Sequence, residues 1–296
     1  MRETITRRGF LRHAALAGAS AALWTAATRR ASAKPPSARD VWPFYAFDNG
    51  LGSVPKIEDK VKLLKDLGYV GVEPHLGHDR LPEWLEALDK HGLILNAVYT
   101  VPSLEAPMDP KLPESIRRMK GRPTRIELAI RSKTYKKPSD PAGDAKAVDL
   151  LKRASDLCAD TGPVVSVYPH TGFWTERVED GVRLAQKSGR ENVGTNFNLV
   201  HWHWVRQTRP VADVLKEAAP HLFSVTINNG DRAKRTIYPL DVGDYDLVGF
   251  MRAVKAAGYT GQVGLQCWSI KEPAEAHLAR SMKRWQAIRR EVLGEG

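Results

Sequence analysis

The segment Val193-Gly-Thr-Asn-Phe-Asn-Leu-Val-His-Trp-His-Trp204 reads as a strand that ends in chemistry. Val193, Thr195 and Phe197 are β-formers, bracketed by Gly194 and polar residues. Asn198, His201 and His203 then follow, interleaved with Trp202 and Trp204. Imidazoles, a carboxamide and indoles at the C-terminal end of a strand suit a ligand pocket rather than a core layer. His203 alone reads as a satisfied or exposed histidine on a short helical turn. Asn198 and His201 point to function because other strands end in similar residues.

Outward from this segment the chain alternates. Strands are expected over 41–47, 69–74, 93–99, 125–130, 164–168, 192–197, 222–227 and 262–267. Helices are expected over 56–67, 82–91, 112–120, 145–161, 175–188, 211–219, 244–257 and 275–293. Ile57, Val61, Leu64 and Leu67 show the helical spacing of one buried face, and Gly68 ends the run. A polar loop over 131–143 is long enough to be functional. Eight strands, each followed by a helix, predict an α/β protein with a (β/α)8 TIM barrel over 41–293. A doubly wound open sheet is the competing topology, but no Gly-rich phosphate loop follows the first strand. Gly68-Tyr-Val-Gly-Val-Glu73 and Gly258-Tyr-Thr-Gly-Gln262 form a modest internal echo of one helix-to-strand junction.

The formal charge of +11 is not a nucleic-acid signature. Residues 1–33 hold six arginines and one glutamate, a net +5 of that total, so the rest carries +6. No dense Lys/Arg run with interleaved aromatics follows residue 34. The two cysteines, Cys158 and Cys267, have no zinc-type spacing and fall on an outer helix and a distant strand, so no disulfide is expected.

The N-terminus reads as an address. Twin arginines, Arg7 and Arg8, precede Phe10 and Leu11, an alanine-rich run follows over 14–27, and Ala31-Ser-Ala33 supplies small residues for cleavage. This order resembles a twin-arginine export signal over 1–33, cleaved after Ala33 and followed by a leader over 34–40. The expected location is periplasmic or extracellular, with no membrane anchor after cleavage.

In a barrel, the polar residues at strand C-termini share one mouth. They are Glu73 and His75 after the second strand, Arg131 after the fourth, and Tyr168 and His170 after the fifth. Asn198 and His201 follow the sixth strand, Asn228 the seventh, and Gln266 and Trp268 the eighth. Amides and imidazoles offer the donors and acceptors that hydroxyls need, so the set suits a neutral polyol. Tyr168, Phe173, Trp174, Trp202 and Trp268 are available to pack against the C–H face of a sugar, although part of that set belongs to the core.

Gly68-Tyr-Val-Gly-Val-Glu73, Tyr168-Pro-His170, Asn198-Leu-Val-His201 and Gly258-Tyr-x-Gly261 with Gln266 together resemble the xylose isomerase-like TIM barrels. The resemblance runs from about 41 to 290. It implies a divalent metal near the barrel axis and proton movement next to a sugar carbonyl. It also implies that the usual ligand positions fall on Tyr168, Asn198, Thr226 and Gln266, where the family has Glu, Asp, His and Glu. All four ligands, and with them the usual acid/base pair, are therefore replaced. An amide binds a divalent cation far more weakly than a carboxylate and is no base near neutral pH.

Two functions follow from these residues. One is an exported sugar isomerase, epimerase or lyase with a rebuilt site. His170, His201 and Glu73 would be its acid/base groups, with His75, Arg131, Tyr168, Asn198, Asn228, Gln266 and Trp268 binding substrate. The other is a sugar-binding barrel without catalysis. The cofactor is open. A metal on Glu73, His75, His170 and His201 would suit zinc or another transition ion better than magnesium. The expected partner is a small carbohydrate rather than nucleic acid.

Overall fold

A computed structural model describes residues 41–135, 137–205 and 207–294; the export signal and leader lie outside the described residues. The first strand, β1 (Phe44–Phe47), pairs in parallel with both the second strand, β2 (Gly71–Glu73), and the last strand, β11 (Val263–Leu265). The two ends of the chain's alternation thus meet at β1. Around the ring follow β8 (Leu222–Ile227), β7 (Val193–Asn198), β6 (Val164–Val167) and β5 (Arg125–Leu128). All pairs in this nine-stranded sheet are parallel.

The remaining stave is split. The strand expected over 93–99 breaks at Asn96 into β3 (Ile94–Leu95), paired with β2, and β4 (Ala97–Thr100), paired with β5. Closure runs through the break. The Asn96 amide donates to Val72 at 2.9 Å, and the Tyr99 amide donates to Pro74 at 3.0 Å. Nine strands therefore fill eight stave positions of a TIM barrel.

The helices pack outside. In α1 (Ile57–Asp66) the buried residues are Ile57, Val61 and Leu64, the spacing that puts one face on the sheet. Gly92 ends α2 (Leu81–His91) at φ +66°, a left-handed conformation that favours glycine. Next come α3 (Leu112–Arg118), α4 (Asp144–Cys158) and α5 (Val178–Ser188). They are followed by α6 (Leu199–Trp204), α7 (Val211–Ala218), α8 (Leu247–Ala256) and α9 (Ala274–Leu293). Both cysteines are buried and free. Among the described residues no helix is long and apolar enough to cross a membrane.

Strand alternation sorts side chains between two layers. Phe44 faces outward and stacks on Trp285 of α9 at 4.5 Å, while Tyr45 and Phe47 join Ala129 and Tyr168 inside the ring. The tyrosines of the sequence echo are anchors. The Tyr69 hydroxyl donates to the Leu278 carbonyl at 2.9 Å, and that of Tyr259 to the Gln262 carbonyl at 2.7 Å.

Two elements depart from the expected pattern. The turn after β7 is a complete short helix, α6. After β8 the chain forms a hairpin of β9 (Asn229–Asp231) and β10 (Thr236–Tyr238), paired antiparallel. No alternating apolar run announces it, because each strand is three residues long.

Candidate functional site

The interior of the ring is polar at mid-height. Arg125 and Glu127 both point inward from β5 and pair at 3.2 Å, although both are almost completely buried. The guanidinium also donates to the Tyr45 hydroxyl at 2.8 Å and to Gln262. Ser224 donates to the same Glu127 oxygen at 3.0 Å, and Asn196 donates to Ser224 at 2.7 Å. Gly264 makes room for this layer, because a Cβ there would lie 2.6 Å from the Tyr45 ring.

Above the layer, at the C-terminal ends of the strands, a cavity of about 530 Å³ opens. Glu73, His75, Arg131, His170, His201, Gln266 and Trp268, all expected at the mouth, line it together. Phe47, Asp48, Asn49, Tyr99, Phe173, Trp204 and Ile237 complete much of the wall. Ile237 comes from the hairpin. A second cavity of about 580 Å³ opens at the N-terminal ends of the strands, where Arg125 and Gln262 already satisfy each other.

Glu73 closes β2 and is 2% exposed, and neither carboxylate oxygen has a hydrogen-bond partner. Burial, reinforced by the Glu127 carboxylate, holds its pKa well above the ordinary range; Arg125 and Tyr45 act in the opposite direction. One guanidinium faces two buried carboxyls and is bonded to Glu127.

His170 follows β6 in a turn tied to β5. The amides of Trp174 and Thr175 donate to the Ile130 carbonyl at 3.1 and 3.2 Å. This brings Phe173 beside Arg131, whose guanidinium lies 3.9 Å from the ring centre. Phe173 in turn stacks on His170 at 3.9 Å. Nδ1 of His170 meets the Thr171 carbonyl at 2.9 Å. A carbonyl only accepts, so Nδ1 carries the hydrogen and Nε2 keeps a lone pair. Burial lowers the His170 pKa, and the Arg131 charge adds to that effect.

His201 sits on α6, and Asn198 puts it there. The Asn198 side-chain oxygen caps the helix, accepting from the amides of Val200 at 3.1 Å and His201 at 3.4 Å. Its amide nitrogen donates to the Tyr168 hydroxyl. The His201 ring is buried, has no hydrogen-bond partner on either nitrogen, and lies 4.1 Å from His170 and 5.8 Å from Tyr168. Burial drives its pKa well down, and His170 adds to the effect.

Three residues expected to meet ligand do not line the cavity. Tyr168 and Asn198 are buried and bonded to each other, and Asn228 is buried with its amide donating to the Asn229 carbonyl at 2.6 Å. Of the aromatic candidates, Phe173 and Trp268 line the cavity, and Trp268 is 58% exposed. Trp174 and Trp202 are core residues. His203 packs against Tyr245 in a tilted contact with ring centroids 4.2 Å apart, and burial lowers its pKa to about 4. Tyr99, near the end of the split strand, and Trp204, at the end of α6, also line the cavity.

The donor set does not fit a divalent cation at the axial positions. Gln266 Oε1 accepts from Asn49 at 2.5 Å, the Cys267 amide at 3.0 Å and the Trp268 amide at 3.2 Å. Asn198 Oδ1 caps α6, and the Thr226 hydroxyl accepts from Asn196 at 2.9 Å. An oxygen ringed by N–H donors presents the wrong field to a cation. Among the described residues no three His, Cys, Asp or Glu side chains group to hold a metal ion.

Residues 61–288 match the xylose isomerase-like TIM barrel family. The chain belongs to that family. This xylose isomerase-like barrel resembles the solved IOLI protein with a bound zinc atom (16% identity, TM-score 0.69, covering 84% of this chain and 99% of that one). It also resembles 3-keto-D-glucoside 4-epimerase, YcjR, from E. coli (16% identity, TM-score 0.66, covering 84% and 99%). Against a xylose isomerase-like TIM barrel/4-hydroxyphenylpyruvate dioxygenase fusion protein (13% identity, TM-score 0.65) it covers 85% of its own length but only 43% of that chain. No curated protein matches the sequence. At these identities the likeness is one of fold.

Proposed function

We propose that this barrel is an exported enzyme that isomerises or epimerises a carbohydrate by moving a proton on the carbon next to a carbonyl. One observation carries the reading: an imidazole whose Nε2 keeps its lone pair and a buried carboxyl face the same cavity. Groups with pKa values pushed in opposite directions form an acid/base pair ready at neutral pH.

In this reading Nε2 of His170 takes the α-proton and becomes imidazolium. Glu73 donates its proton to the carbonyl oxygen and becomes carboxylate, which leaves a neutral enediol. For the isomer, His170 returns its proton to the former carbonyl carbon and Glu73 takes the proton of the neighbouring enediol hydroxyl. For the epimer, a proton from solvent reaches the opposite face of the same carbon, Glu73 takes back the enediol proton and His170 releases its own to solvent. His201, with two unpartnered nitrogens, binds a hydroxyl of the substrate. Trp268, on the cavity wall and 58% exposed, offers an aromatic face to the ring. The family's usual metal ligands are replaced, so no step runs through a metal. Support for a sugar substrate comes from the family and from the epimerase among its structural neighbours.

The test is incubation of the mature protein with keto- and aldo-sugars in D2O, followed by NMR at the carbon next to the carbonyl. Deuterium uptake that His170→Ala abolishes is the expected result. Sugar binding without any uptake would leave a binding barrel and end the enzyme reading. Export rests on the order of arginine pair, alanine-rich run and small residues over 1–33. Replacing Arg7 and Arg8 together by lysine should retain the full-length chain in the cytoplasm, while the native sequence yields a periplasmic protein beginning at Lys34.

A further inference from the structure

We infer that the sugar taken by this cavity carries an acidic group, a carboxylate or a phosphate, and that Arg131 binds it. The inference names a substrate class for the site and rests on the carbohydrate reading of it.

Arg131 is held in place without being neutralised. Its backbone is pinned on both sides, the amide donating to Pro102 at 2.9 Å and the carbonyl accepting from Leu104 at 3.0 Å. Its guanidinium lies on the face of Phe173 at 3.9 Å. Contact with the ring restrains the fork, and a guanidinium suits bidentate capture of a carboxylate or phosphate. Among the described residues that guanidinium has no hydrogen bond and no ion pair.

Each carboxylate within reach is committed elsewhere. Glu105, whose partners flank Arg131 in sequence, accepts from the Ser103 and Ser132 hydroxyls, both at 2.6 Å, and from the amides of Lys133 and Thr134 at 3.1 and 3.2 Å. Asp48, on the cavity wall, pairs with Lys60 at 2.5 Å. Glu73 is buried, which pushes its carboxyl pKa well up, and Glu127 is paired with Arg125. Arg131 lines the cavity at its solvent-exposed rim, where its guanidinium is open to an anionic group of the ligand. The column Arg131–Phe173–His170 sets this charge two stacking layers from the lone pair of the base. That offset suits a sugar whose acidic group and reacting carbon lie at opposite ends.

The experiment is calorimetric titration of the mature protein, native and Arg131→Gln, with glucose and galactose, their uronates and their 6-phosphates. At least one acidic sugar should bind native protein roughly tenfold or more tightly than its neutral parent, as expected for one charge-assisted bidentate contact. That preference should shrink with added salt and vanish in Arg131→Gln. Uronate against phosphate identifies which anion the fork prefers. Neutral sugars binding as well as both acids, or a preference that survives Arg131→Gln, overturns the inference and leaves the carbohydrate reading standing. If none of the six binds, both fall.

Discussion

The imidazoles of His170 and His201 lie 4.1 Å apart, centroid to centroid, although one follows β6 and the other rides on the helix after β7. A proton on one opposes a proton on the other, and burial opposes both. His201 therefore titrates below its ordinary value in the folded state. Between pH 6.5 and that lower value the unfolded chain takes up a proton that the folded chain refuses, so folding stability falls as pH drops through this window. His201→Gln should melt with a flatter profile between pH 7 and 5 than the native protein. Identical profiles in a thermal-denaturation series would contradict this placement of charge.

Glu73 runs the opposite way. Below pH 4.5 both states hold the proton; above it the unfolded chain releases a proton that the folded chain keeps. Native stability therefore falls as pH rises from 4.5 toward the folded-state value. Glutamine at this position never ionises, so Glu73→Gln should gain on the native protein across that range, by at most about 1.4 kcal/mol per pH unit. The same variant should lose turnover. Urea denaturation at pH 5, 6, 7 and 8 measures the stability gap.

His170→Ala should reduce deuterium exchange by about 10² to 10⁴, the range for removal of a general base. Because its Nδ1 hydrogen bond goes to a backbone carbonyl, His170→Gln should keep the turn and still lose the exchange. Retained exchange in both variants would assign the base elsewhere.

The Arg125–Glu127 pair tests the polar layer beneath the site. Arg125→Met leaves a buried carboxylate without its cation and should cost about 3–5 kcal/mol. Adding Glu127→Leu removes the stranded charge and should restore a large part of the loss. Denaturant midpoints of the single and double variants decide this.

Dialysis against EDTA, or addition of magnesium or manganese, should leave the melting temperature of the native protein unchanged. The oxygens of Gln266, Asn198 and Thr226 already accept from protein N–H groups. A rise in melting temperature with either cation would show that these groups reorganise around it.

Much of the fold was legible because it is local. The interval of apolar residues in α1 and the alternation in β1 depend only on which side of one element faces the sheet. Seven of the ten residues expected at the mouth do line it, because every strand end in a closed parallel ring faces the same way. The other three lie behind the wall, bonded to protein groups. An amide or phenol at a strand end looks alike whether it meets a ligand or another side chain, and only the partner tells which. Asn198 caps α6 and bonds Tyr168; Asn228 bonds its neighbour's carbonyl.

By itself the sequence determined the alternation of strand and helix, the order of the staves and the identity of the groups at their ends. These follow from periodicity and chain direction, which are properties of consecutive residues. Only the tertiary structure decided the state of those groups. The Glu73 pKa is raised because burial excludes water from it and the carboxylate of Glu127, distant in sequence, adds its charge, and the Arg131 guanidinium finds no hydrogen bond or ion pair among the described residues. Charge and protonation depend on what surrounds a group in space and on how far water is excluded, and neither is written in its neighbours along the chain.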